Sequence, residues 1–143
     1  MKDILIPFGL NDYCVNNTCD FKTGDFITAR VKFVPVLFHR GIVVVDDDCV
    51  YIYHNSPKLK NDFGGSVVRE NIEDWLKTRD IISIVPTDMT KEYIEQTSLS
   101  LAEYPFDIAS FNCEHFAFYL KDGSLKSPQL TIWSIVTGAL FFL

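Results

Sequence analysis

Close cysteine pairs are missing from this chain, and so are internal repeats, low-complexity stretches and any Pro/Gly/Ser-rich linker. Without repeats or a linker the natural reading is one domain, and 143 residues is the size at which one domain buries well over half of its unfolded surface. The four cysteines, Cys14, Cys19, Cys49 and Cys113, offer neither a disulfide scaffold nor the paired spacing of a zinc site, so no metal is expected. Excess positive charge is lacking too. Thirteen basic against nineteen acidic residues give a net charge of −6, which repels nucleic acid and anionic membrane surfaces.

The N-terminus has Lys2 but only the short apolar run Ile4–Ile6 before Pro7, which does not read as a signal peptide, so a reducing cytoplasm is the expected location. At the other end, Leu130–Leu143 carries no charge. As a helix it would span roughly 21 Å, short of the roughly 30 Å hydrocarbon core of a bilayer. A buried or partner-covered helix is the plainer reading of it, and an interfacial or shortened membrane anchor is the alternative.

Aromatic residues are abundant, with twelve Phe and six Tyr, and 48% of the chain is apolar, so intrinsic disorder is excluded. After Gly24-Asp25, Ile27, Ala29, Val31 and Phe33 alternate with Thr28, Arg30 and Lys32, as a half-buried strand requires. Phe38–Val45 and Cys49–His54 are β-rich runs separated by Asp46-Asp47-Asp48, which predicts a hairpin. A two- or four-residue loop pairs Val44 with Tyr51 and Ile42 with Tyr53, and makes His39 and His54 diagonal neighbours on one face. A three-residue loop separates them. The aspartates lack the spaced oxygens of a calcium loop and read as a solvated turn.

Beyond the polar loop with Gly64-Gly65, Asn71 is placed to cap a short helix burying Ile72, Trp75 and Leu76. Ile81–Val85 reads as a strand stopped by Pro86. A second helix is predicted from about Thr90 to Tyr104, with Ile94, Thr97 and Leu101 inward and Pro105 after it. In Asn112-Cys113-Glu114-His115-Phe116, the spacing of Cys113, Phe116, Ala117 and Leu120 marks the inward stripe of a helix with Asn112 as N-cap. A thiol in that first turn feels the positive end of the helix dipole, which favours the thiolate, while unpaired amides there suit a developing oxyanion.

A buried cysteine is ordinarily a small core residue. A helix-start cysteine together with two histidines on one hairpin face fits instead the logic of an activated thiol: nucleophile, base and a group that orients the base. His115, roughly 200° round the helix from Cys113, is expected to point away and pack, and Glu114 to serve the helix dipole or a salt bridge. Trp75 and Trp133 read as packing residues.

Asn112-Cys113-Glu114-His115-Phe116 resembles the signature of the lecithin:retinol acyltransferase-like family, related to the H-Ras-like-suppressor phospholipase/acyltransferases and to the permuted papain-like superfamily. Gly24-Asp25, His39-Arg40-Gly41-Ile42, His54-Asn55-Ser56-Pro57 and Gly123 with Ser127-Pro128-Gln129 extend the likeness over roughly residues 24–129. The resemblance implies Cys113 as attacking thiolate, His39 as general base and His54 as its orienting partner. It further implies an acyl-lipid substrate such as a phospholipid, ping-pong transfer through a thioester, and no cofactor. Arg40 stands where the family has an aromatic, and its charge is expected on the face opposite His39, open to solvent or to a substrate phosphate or carboxylate.

The expected fold is therefore α+β and permuted papain-like, with a four- to five-stranded antiparallel sheet packed against the nucleophile helix. Residues 1–23 form an N-terminal extension, 24–129 the catalytic domain and 130–143 a hydrophobic segment that offers peripheral membrane contact. Two other functions fit the same residues: a cysteine peptidase or amidase of the permuted papain-like type, and an inactive binding module.

Overall fold

The computed structural model describes residues 21–33 and 37–141, with side chains described to residue 135. The expectations for Lys2, Ile4–Ile6, Cys14 and Cys19 lie outside the described residues. Five strands, β1 (Phe26–Val31), β2 (Phe38–Asp46), β3 (Cys49–Asn55), β4 (Val67–Asn71) and β5 (Arg79–Val85), form one sheet in the order β4-β3-β2-β1-β5. Every neighbouring pair is antiparallel. The helices are α1 (Ile72–Leu76), α2 (Lys91–Ser100), α3 (Cys113–Asp122) and α4 (Pro128–Phe141). The architecture is α+β, as the alternating and helical periodicities predict.

The β2–β3 hairpin turns on Asp47-Asp48, with Asp46 opposite Cys49, so Val44 pairs with Tyr51 and Ile42 with Tyr53. Asp47 takes the left-handed conformation (φ 52°) that such a tight turn requires and that Asp tolerates. This register puts odd-numbered β2 residues and even-numbered β3 residues on one face. That face carries Val43, Val50 and Ile52, packed with Ile27, Ala29, Ile72 and Trp75. On the other, Ile42, Val44, Tyr51 and Tyr53 pack under Phe116, Ala117, Phe118 and Leu120 of α3 and Ile94 of α2. With both faces covered, every residue of β3 is buried.

Several expectations need correction. β1 is buried at Phe26 through Ala29 without alternation, and it ends at Val31; Phe33 is fully exposed in a left-handed conformation (φ 67°) and joins no core. β4 was hidden in what reads as a polar loop. β5 begins at Arg79, two residues earlier than Ile81. α2 stops at Ser100 and buries Glu95 and Ser98 beside Ile94; Thr97 is half-buried, and Leu101, just past the helix end, packs partly buried against the core. Cys49, expected as one of four thiols outside any disulfide framework, is disulfide-bonded.

α4 begins at Pro128, a residue suited to a first helical turn. Residues 128–130 are half-buried and residues 131–135 are exposed. Ile132, Trp133 and Ile135 are all at least half exposed. No described helix is long and apolar enough to cross a membrane.

Candidate active site

Asn112 ends its extended backbone with its side-chain oxygen accepting from the N–H groups of Glu114 (2.9 Å) and His115 (3.1 Å). In return His115 Nδ1 accepts from the Asn112 N–H at 2.9 Å, closing a reciprocal cap. His115 thus fixes the helix start and takes no part in a base chain. The cap leaves the Cys113 N–H as the first-turn donor without a hydrogen bond among the described residues. At the far end Gly123, at φ 75°, supplies the left-handed residue that terminates α3.

Two clamps hold this helix start against the sheet. Asn55, the last residue of β3, donates from Nδ2 to the carbonyls of Phe111 (2.8 Å) and Asn112 (3.2 Å). Arg40 donates from Nε to Glu114 Oε2 at 2.7 Å and from Nη1 to the Thr28 hydroxyl at 2.6 Å, with its guanidinium over the Phe118 ring. The expectation that Arg40 is open to solvent or substrate is therefore corrected. Its carboxylate partner Glu114 is 1% exposed and also accepts from Ser127 Oγ and the Gln129 N–H, both at 2.8 Å.

The β2–β3 ladder ends at Ile42–Tyr53, and the thiol lies beyond it along the edge of β2. Cys113 Sγ donates to the Phe38 carbonyl at 3.8 Å and meets the Arg40 N–H, the two backbone groups that flank His39. No hydrogen bond joins the sulfur to the His39 ring in this resting arrangement, a geometry that unliganded active sites commonly show. Sulfur and imidazole are nearly buried, at 8% and 6% exposure. Gly41, next to His39, has no room for a side chain: a Cβ there would fall 2.4 Å from Ile52 Cγ2.

His39 and His54 share the Trp75 face, as the two-residue turn requires. His39 Nε2 lies 2.8 Å from His54 Nδ1, and His54 Nε2 lies 2.7 Å from Glu70 Oε1. The His39 and His54 rings stand 5.9 and 6.3 Å from the Trp75 ring. Glu70 is the member that sequence reasoning missed. The β-branched pair Val67-Val68 ahead of Asn71 was the available signal for a strand there, and Glu70 lies opposite Ile52, on the histidine face.

Burial, then the neighbouring His54 and Arg79 charges, hold His39 well below the usual histidine range. Burial and Arg79 do the same to His54. Both rings are thus neutral near pH 7, and the contact to Glu70 is a neutral N–H donated to a carboxylate. Hydrogen-bond logic then assigns the tautomers: His54 donates its Nε2–H to the Glu70 carboxylate, its Nδ1 accepts from His39 Nε2–H, and His39 Nδ1 keeps a lone pair. The thiol departs from expectation. Burial pushes it up to about 11, although the Arg40 N–H and the Arg40 and Arg79 charges pull the other way. Desolvation outweighs the helix terminus, so Cys113 rests as a thiol.

Among the described residues no group of three or more His, Cys, Asp and Glu side chains is arranged to hold a metal ion. A cavity of about 220 Å³ between the loops around Lys58 and Gly65 touches none of Cys113, His39, His54 or Glu70. Among known proteins the chain matches no family model, no curated protein and no solved structure.

Proposed function

We propose that this protein is a cysteine-dependent acyltransferase or acyl hydrolase that carries an acyl group as a thioester on Cys113. The observation that carries the reading is the unbroken chain Glu70–His54–His39, at 2.7 and 2.8 Å, ending beside the strand edge where the thiol sits. Buried histidines in a core do not ordinarily line up with a carboxylate behind them. An antiparallel sheet whose histidine strands precede the thiol helix agrees with the permuted papain-like arrangement that the Asn112–Phe116 segment resembles.

His39 Nδ1 takes the proton from Cys113 as the sulfur attacks the carbonyl carbon of an ester, so that no free thiolate is needed at rest. The resulting oxyanion is stabilised by the Cys113 N–H. Collapse breaks the ester C–O bond, and His39 returns the proton to the departing alcohol. An acceptor alcohol, amine or water then repeats the sequence on the thioester, with His39 again base and then acid. Throughout, the His54–Glu70 pair holds the imidazole in one tautomer and offsets the charge it gains.

The test is intact-mass measurement after incubation with phosphatidylcholine in mixed micelles. A fatty-acyl adduct on the wild-type chain, absent from Cys113→Ala and released by hydroxylamine, is the expected result. No adduct from any lipid ester, or an adduct that survives Cys113→Ala, rejects the reading. A peptide-amide substrate run in parallel separates acyl-lipid chemistry from peptidase chemistry at the same thiol.

A further inference from the structure

Arg79 is the charged side chain of the histidine face that neither the fold nor the mechanism above uses. Its position follows from register. His39 lies opposite Ala29, Ala29 opposite Ile81, and Arg79 is two residues before Ile81 on the same strand, so all four side chains share one face of the sheet. The guanidinium lies 5.1 Å from the centroid of the Trp75 ring, which also borders His39 and His54. Its charge is felt at His39, His54, Glu70 and Cys113.

Arg40 is paired with a buried carboxylate and a hydroxyl. Arg79 makes one hydrogen bond, from Nη1 to the Trp75 carbonyl at 3.2 Å, and among the described residues no carboxylate pairs with it. Its Nε is buried with no partner, an arrangement that costs free energy unless something else compensates. Nη2 has no hydrogen bond among the described residues either. A planar cation held over the aromatic ring that also borders His39 and His54, with donors left over, is built to receive an anionic oxygen group.

We propose that Arg79 is a specificity-determining residue that holds a phosphate or carboxylate group carried by the acyl donor close to its ester. This rests on the acyl-transfer reading for its purpose, and the anion site itself is tested without it. Trp75 and Trp133 are the two tryptophans of the chain, so Trp133→Phe leaves Trp75 fluorescence as a reporter of Arg79. Glycerol 3-phosphate and succinate should change that signal saturably, and uncharged glycerol should not. Arg79→Met should weaken the anion response about tenfold or more, while Arg79→Lys keeps part of it. An anion response unaltered in Arg79→Met, or absent from the Trp133→Phe chain, overturns the proposal. Should Arg79→Met fail to fold, Arg79→Lys and the parent titration decide by the same criteria.

A second arm compares acylation by phosphatidylcholine and by a diacylglycerol of the same chains, both in one detergent. Arg79→Met should slow the phosphate-bearing donor about tenfold more than the neutral one. Equal slowing of both overturns the specificity role. If neither donor acylates the wild-type chain, the acyl-transfer reading falls, and the fluorescence arm alone decides whether Arg79 holds an anion.

Discussion

A carboxylate behind two neutral imidazoles matters because each ring has two nitrogens and one proton. With Glu70 accepting from His54 Nε2, His54 Nδ1 is left as an acceptor, His39 must donate from Nε2, and its Nδ1 keeps a lone pair. Without Glu70 either ring is free to adopt the other tautomer, and His39 spends part of its time with no lone pair on Nδ1. Glu70→Ala should therefore slow acylation by about 10² or more while substrate binding changes little, since orienting partners of this kind typically contribute that much. Pre-steady-state acylation kinetics check it, and an unchanged rate constant contradicts the relay. The acid limb of the rate profile belongs to the same chain. Because burial lowers His39, loss of rate on acidification should set in below the ordinary histidine value of 6.5. At this scale Cys113, His39 and His54 were legible from helix and strand periodicity. Glu70 was not, because Arg69-Glu70-Asn71 after a glycine-rich loop reads as solvent-facing until β3 is known to pair with it.

The start of α3 is held by more than its cap. Arg40 on β2, Glu114 on α3, and Ser127 with Gln129 at the start of α4 form one network around a carboxylate with almost no exposure. Gln129 adds a second tie, accepting from the Phe38 N–H and donating to its carbonyl, both at 3.0 Å, beside the same carbonyl that receives the Cys113 thiol. Removing one member of a buried ion pair leaves the other charged and uncompensated, so Arg40→Met should destabilise the chain by about 3 kcal/mol. Urea denaturation measures it, and a change under 1 kcal/mol would mean that Ser127 and Gln129 satisfy Glu114 unaided. A second element-scale test concerns the loop ahead of β4. A Cβ at Gly65 would fall 2.0 Å from the Ala102 carbonyl oxygen, a backbone atom that cannot swing aside, so Gly65→Ala should cost about 1–3 kcal/mol in the same experiment. The sequence announced the α3 cap through Asn112, and Arg40 misled because its partner, Glu114, lies 74 residues away. Strand alternation fixes which face a side chain points to; it does not say what will be packed there.

Over the whole molecule, one buried hairpin serves two layers. Its α3 face supplies the larger hydrophobic cluster, and its Trp75 face carries the titrating groups. That division makes stability depend on pH in a definite direction. His39 and His54 have folded-state pKa values below the unfolded value of 6.5, so near and below that pH the unfolded chain binds protons that the native chain refuses. Their contribution is fully present above 6.5 and is lost as the pH falls. His115 is shifted the same way, and the raised Glu70 and Glu95 act oppositely nearer their carboxylate range. Unfolding free energy measured between pH 7.5 and 5.5 should fall, with His39 and His54 alone contributing a slope approaching about 2.7 kcal/mol per pH unit, the limit for two protons. A flat profile would mean that the rings are charged in the native state. The hairpin and the α3 stripe were readable from periodicity, while the turn length that sets the register stayed open and β4 went unread. The disulfide at Cys49 and the exposure of Ile132, Trp133 and Ile135 were not readable, since both depend on which surfaces meet in the folded chain.

The most direct test of the whole account is the single-turnover rate at which Cys113 is acylated by an uncharged activated ester, measured by peptide mass mapping for the wild-type chain and for His39→Asn. A base held beside the sulfur predicts one acylated peptide, the one containing Cys113, formed at least about 10²-fold more slowly in the variant at pH 7. Equal rates in the two proteins, or an acyl group found on another residue, would show that imidazole and thiol do not act as one site.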